Sequence, residues 1–171
     1  MRSDMNIIVN VTPNWGIGSN NELLVRIHAD MCRFRALTLN HTVIFGRKTM
    51  ETFPYGDPLP KRSNIMFTRD PHFEKNGVTV CRNLDDLKAV ISDRDPDTVF
   101  VCGGEQIYRL LLPFCKTAYV TLTERYQPAD CFFPNLNRLS NWTLKETGEK
   151  QFENGIAFRY LTYENKNVQE L

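Results

Sequence analysis

Asp30 is the one carboxylate on an otherwise apolar helix face, shared with Phe34 and Leu37 at i+4 and i+7. Buried there, it needs a charged or hydrogen-bonding partner. An apolar pocket with a single carboxylate can position a ring; an exposed first-turn Asp favoured by the helix dipole has the same sequence signature. Val101-Cys102-Gly103-Gly104-Glu105-Gln106-Ile107-Tyr108 carries an apolar strand into two glycines and then a helix. Without Cβ atoms, such a junction lets backbone approach a ligand, and the free amides of the helix start can receive phosphate oxygens. A ligand-free tight turn would read alike. The spacing is neither G-x-G-x-x-G nor a P-loop. A second junction, Phe45-Gly46-Arg47-Lys48-Thr49, puts two cations at a helix start, against the dipole. They make sense there if an anion binds, or simply as solvated surface charges. Thr68-Arg69 and Arg82 follow two further strands. Strand ends of a parallel sheet share one rim, so these cations can converge on an extended ligand with several phosphates. Arg62, held by Pro58-Leu59-Pro60, can grip a carboxylate bidentately, or remain a solvated loop residue.

The elements that must position these groups follow from hydrophobic pattern. Apolar runs at 6–11, 42–45, 63–68, 78–81, 98–102 and 118–122 read as strands, with helical periodicity at 29–39, 83–92 and 105–112. Alternating strands and helices imply an α/β domain with a largely parallel sheet. Segments 142–147 and 156–163 have no helix between them, and Asn154-Gly155 suits a tight turn, so the chain closes with an antiparallel hairpin on one sheet edge. Trp15-Gly16-Ile17-Gly18 reads as a flexible loop able to lie across a ligand. One domain over 1–164 is expected, then a polar, frayed tail over 165–171.

With 171 residues, the chain is long enough for one ordinary core. Lys+Arg 21 against Asp+Glu 20 leaves a formal charge of +1, which argues against a nucleic-acid or anionic-membrane surface. No apolar run approaches the roughly 20 residues of a membrane span. Five cysteines without C-x-x-C and three scattered histidines suggest no metal site, and fit reduced thiols in the cytoplasm.

The order and spacing of these blocks resemble dihydrofolate reductase of the chromosomal bacterial type, over residues 6–163. The matching residues are Trp15-Gly16-Ile17-Gly18, Ala29-Asp30-Met31 with Phe34 and Thr38, and Phe45-Gly46-Arg47-Lys48-Thr49. Further along they are Pro58-Leu59-Pro60 with Arg62 and Asn64, Val101-Cys102-Gly103-Gly104 with Tyr108, and Tyr119-Val120-Thr121. The resemblance implies a single-domain α/β fold, an eight-stranded mixed, mainly parallel sheet flanked by helices. It implies NADPH-dependent reduction of 7,8-dihydrofolate to tetrahydrofolate, a step that supplies one-carbon carriers, by a monomer. The catalytic assignment is Asp30, binding the 2-amino and N3 edge of the pterin and favouring protonation at N5, with Thr121 supporting it. Ile8, Val9, Met31, Phe34, Phe53, Leu59, Cys102 and Tyr108 would contact the substrate, and Arg62 would hold its glutamate α-carboxylate. Gly46, Arg47, Lys48, Thr49, Thr68, Arg69 and Arg82 would surround the adenosine phosphates. Gly103, Gly104, Glu105, Gln106 and Ile107 would take the pyrophosphate, while Asn10, Ile17, Gly18, Asn21 and Leu23 would cover the nicotinamide. Three positions depart from the family pattern: Val25 replaces a large aromatic and cannot hold a water by an indole N–H, Asn10 replaces Ala, and Glu105 replaces a third glycine beside phosphate. A related reductase of a riboflavin-pathway pyrimidine gives no reason for Asp30 and Arg62 to match together. An inert nucleotide-binding module gives none for Asp30 and the 15–18 loop.

Overall fold

The computed structural model describes residues 3–19 and 22–171; the expected cofactor contact Asn21 lies outside them. The strands are β1 (Met5–Val11), β2 (Gly16–Ser19), β3 (Glu22–Leu23), β4 (Thr42–Gly46), β5 (Ser63–Phe67), β6 (Val78–Cys81), β7 (Val99–Gly103), β8 (Cys115–Thr123), β9 (Cys131–Phe132), β10 (Trp142–Thr147), β11 (Gln151–Glu153) and β12 (Ile156–Asn165). The α-helices are α1 (His28–Thr38), α2 (Arg47–Met50), α3 (Leu84–Ile91) and α4 (Glu105–Leu111).

Eight strands form the main path in the order β10-β12-β8-β1-β7-β4-β5-β6, and the short β11 pairs beside part of β12. From β8 through β6 every pairing is parallel, whereas β12 runs antiparallel to β8, β10 and β11. The mixed, mainly parallel sheet and its antiparallel close are as expected. The Asn154-Gly155 turn, with φ 51° and 77°, joins β11 to β12 rather than β10 to β12.

Parallel strands covered on both faces read as continuous apolar runs, and β4 shows this with Val43, Ile44 and Phe45 fully buried. The larger core cluster gathers Met5, Ile7, Val9, Val101, Val120 and Tyr163; a smaller one holds Val43, Phe45, Met50 and Met66 on the other side. Along β1, the alternation leaves Ile8 and Asn10 half-buried on the opposite face from Ile7 and Val9. That alternation directs Asn10 toward α1.

Two expectations are corrected here. The 15–18 segment is not a loose loop: Trp15 is buried between Phe133 and Tyr163, and Gly16–Ser19 is a strand paired with β3 and β9. The large ring supplies apolar area that outweighs the turn tendency of the neighbouring glycines. Gly16 is required by close packing, since a Cβ would lie 2.9 Å from both Ala129 Cβ and Thr12 Oγ1. Nor is the C-terminus frayed: β12 continues to Asn165, whose buried amide donates to the Cys115 carbonyl, and Gln169 N–H donates to Pro113 O at 2.9 Å. Among the described residues, no helix is long and apolar enough to cross a membrane.

Candidate active site

α1 lies across the sheet with Asp30 in its first turn. No side chain of its own segment caps it. Instead, Glu153 of β11 reaches back, accepting from His28 N–H at 2.6 Å and Ala29 N–H at 3.0 Å. A carboxylate on free first-turn amides also opposes the positive end of the helix dipole.

Asp30 is held from β8 and β1. Thr121 Oγ1 donates to Oδ1 in a short hydrogen bond, and Asn10 Nδ2 donates to Oδ2 at 3.1 Å. Burial pushes the Asp30 carboxyl above its ordinary value; the bonds from Thr121 and Asn10, and the charge of Arg33, pull it back. The Asn10 side chain bridges this carboxylate and Thr123, using one Nδ2 proton and one Oδ1 lone pair.

The expected pterin walls separate into two groups by their exposure. Ile8, Met31, Phe34, Phe53, Leu59 and Cys102 all keep part of their surface uncovered; Met31 is half exposed. Val9 and Tyr108 are buried beneath. Val9 belongs to the main core, so its side chain points to the opposite face of β1 from Ile8 and Asn10. Tyr108 donates its hydroxyl to the Ile8 carbonyl at 2.8 Å and packs edge-on against Phe133. It braces β1 against α4.

Arg62 is fixed by the last residue of α1 and by a carbonyl of its own segment. Its Nε donates to Thr38 Oγ1 at 3.2 Å and its Nη1 to Pro60 O at 2.9 Å. Asn64 makes the bend that presents it, exchanging hydrogen bonds with both the N–H and carbonyl of Leu59. Partial burial and the Arg35 charge lower the Arg62 pKa, which an anion beside the two guanidinium groups would relieve. Arg62 lines a groove of about 600 Å³ with His41, Lys61 and Arg94, at the edge where β4 and β5 begin.

The glycine junctions sit at the opposite ends of these strands. β4 and β7 are parallel neighbours, and both end in glycine before a helix that starts without a side-chain cap. The backbones are close: a Cβ on Gly46 would lie 3.2 Å from Ile107 Cγ1, and one on Gly104 3.3 Å from Thr49 Oγ1. Gly46 and Phe67 are register partners, which brings Arg47, Lys48 and Thr49 beside Thr68 and Arg69. Lys48 and Arg69 are exposed, while Arg47 lies over the Phe73 ring and 3.5 Å from Asp70. Arg82 lies one strand further out, its guanidinium on the Pro71 carbonyl. Glu105 turns aside, accepting from Phe132 N–H and pairing with Arg109, and Gln106 is exposed. Ile17 packs against the core, Gly18 accepts from Asp130 N–H, and the Leu23 backbone pairs with Gly18. No cluster of His, Cys, Asp or Glu among the described residues could hold a metal ion, and all five cysteines are free.

The family model described as dihydrofolate reductase matches residues 4–165. The chain belongs to the dihydrofolate reductase family. It is 37% identical to the dihydrofolate reductase of Bacillus subtilis over 153 residues, 88% of each chain. Over 162 residues it is 30% identical to that of Staphylococcus haemolyticus, covering 94% of this chain and 95% of that one. The Haemophilus influenzae dihydrofolate reductase is 37% identical over 131 residues, 77% of this chain and 79% of that one. Sequence reasoning missed the Glu153 cap and Thr123, which only long-range contacts reveal, and Arg33, whose i+3 spacing from Asp30 on α1 was a usable local signal. The guanidinium of Arg33 lies 3.9 Å from the Tyr160 ring centroid.

Proposed function

We infer that the chain reduces 7,8-dihydrofolate to 5,6,7,8-tetrahydrofolate with NADPH as its nicotinamide cofactor. The observation that carries this reading is the partly desolvated Asp30 carboxylate in the first turn of α1, held on both oxygens by Thr121 and Asn10. Thr121 acts as a positioning residue. Asp30 would accept from the pterin 2-amino and N3 groups, since the carboxylate only accepts and the pterin edge only donates there. Its negative charge favours the pterin protonated at N5, the proton coming from water. Ile8, Met31, Phe34, Phe53, Leu59 and Cys102 exclude bulk solvent from the ring, which strengthens that electrostatic effect. Arg62 would hold the glutamate α-carboxylate.

The residues at the far rim fit a phosphate-bearing cofactor: two adjoining backbone junctions without side chains, and cations from two strand ends. Gly103, Gly104 and Ile107 would pack on the pyrophosphate, and Arg47, Lys48, Thr49, Thr68 and Arg69 would take the adenosine phosphates. Three cations there favour a cofactor with a 2′-phosphate. NADPH supplies the hydride for C6 of the dihydropterin.

The test is loss of NADPH absorbance with and without dihydrofolate. Dihydrofolate-dependent loss is expected. Folded protein that binds NADPH but shows no such loss would favour an inert nucleotide-binding module.

A further inference from the structure

We propose that Asn10 is a positioning residue for the reaction, its carboxamide anchored by Thr123 so that it aims the Asp30 carboxylate at the substrate. The proposal rests on Asp30 being the substrate-binding group, as argued above.

Asn10 stands on the half-buried face of β1, where a polar side chain has to be satisfied by the protein. Its two ends are satisfied differently. Thr123 Oγ1 donates to Asn10 Oδ1 at 2.7 Å, and Asn10 Nδ2 donates to Asp30 Oδ2 at 3.1 Å. The opposite amide orientation would place oxygen against a carboxylate oxygen, with no proton between them. The carboxylate therefore fixes which end faces it. The two contacts bridge 113 and 20 positions of sequence, so the relay β8–β1–α1 exists only in the folded chain.

The consequence for Asp30 is geometric. The terminal torsion of an Asp side chain is soft, so one donor leaves the carboxylate free to pivot. Here Thr121 holds Oδ1 and Asn10 holds Oδ2, one donor from each of two neighbouring strands. Each carboxylate oxygen has two acceptor directions. One on each is used by the sheet, and one on each remains. Two remaining acceptors on a fixed plane match two parallel N–H groups, such as the amino and ring N–H of an amidine-like edge. Thr121 alone would hold the group by one oxygen and leave its direction loose.

The same bonds favour the charged form. Other groups facing Asp30 are Arg33 on its own helix, Tyr160 from β12 and Tyr108 from α4. Both phenols are pushed up by burial and stay neutral at neutral pH, and Arg33 stays positive, so none of them changes when Asn10 is replaced.

The experiment is carbon-13 NMR titration of Asp-carboxyl-labelled, ligand-free protein, with the Asp30 signal assigned by Asp30→Asn. Asn10→Ala should raise the Asp30 midpoint by about one pH unit, the size of one charge-assisted hydrogen bond. Thr123→Val keeps the amide but frees it to swing, and should move the midpoint the same way by less. It also keeps the test falsifiable if Asn10→Ala fails to fold. In turnover, Asn10→Ala should lower kcat/KM for dihydrofolate at pH 7 about tenfold, with NADPH affinity unchanged. A wild-type midpoint in the variants overturns the proposal, as does a shifted midpoint with unchanged kcat/KM. Absence of dihydrofolate reduction by the wild-type protein would instead refute the functional reading, and the titration would still decide what Asn10 does to Asp30.

Discussion

Replacing Arg62 by Leu removes the cation assigned to the substrate glutamate while keeping an apolar stem, shorter than that of Arg. The guanidinium already spends Nε on the Thr38 hydroxyl and one Nη1 proton on the Pro60 carbonyl. Nη2 and the second Nη1 proton remain, enough for a bidentate grip on a carboxylate. Losing one partner of a desolvated charge pair costs about 2–5 kcal/mol. Arg62 is only partly buried, so solvent screening places the effect at the lower end. About 2 kcal/mol corresponds to roughly a 30-fold weaker Kd. The fold should tolerate the change, because Thr38 keeps its own donation to the Phe34 carbonyl at 2.8 Å. The assay is equilibrium binding of dihydrofolate, of a pteridine lacking the glutamate, and of NADPH, to wild type and Arg62→Leu. The expected result is a loss confined to dihydrofolate. Wild-type affinity for dihydrofolate in the variant, or an equal loss for the truncated pteridine, would refute the assignment and return Arg62 to the solvated surface.

Two further outcomes follow from the same geometry. Wild type should prefer NADPH to NADH in kcat/KM, and the Arg47→Ala/Arg69→Ala double variant should lose most of that preference; equal use of both cofactors by wild type would contradict it. For stability, the Asp30 pKa lies above its unfolded value because burial dominates, so its contribution is fully present in acid and is lost as pH rises through the folded value. Asp30→Asn removes that cost, and the melting temperature of the variant relative to wild type should therefore rise as pH climbs from the ordinary carboxylate value of 3.8; a flat or falling difference in thermal unfolding would show that the carboxylate is not desolvated.

Much of this site was legible in the sequence because its signals are local. The runs into Gly46 and Gly103 mark strand-to-helix junctions in a few residues, and the parallel sheet then places them side by side. Asp30 stood out against its apolar helix positions. What escaped depends on partners distant in sequence. Trp15 looked like part of a mobile loop because its glycine neighbours dominate the local pattern; its anchors, Phe133 and Tyr163, come from the other end of the chain. The helix-capping Glu153 lies 125 positions from His28, in a strand too short to announce itself. The polar composition after residue 164 suggested fraying, yet Asn165 is buried by hydrogen bonds that composition does not encode. Asn10 read as a cofactor contact through family resemblance; its bonds to Thr123 and Asp30 come from strand and helix positions that the sequence pattern does not connect.

The central claim is that the Asp30 charge drives chemistry on the bound pterin. Its most direct test is the single-turnover rate of hydride transfer from NADPH to dihydrofolate, measured across pH for wild type and Asp30→Asn. Asparagine keeps the shape but cannot carry the charge, so the rate near neutral pH should fall by roughly 10²–10⁴. The deficit should shrink as pH drops and solvent supplies substrate already protonated at N5. A variant that folds, binds both ligands and transfers hydride at the wild-type rate at pH 7 would contradict the account.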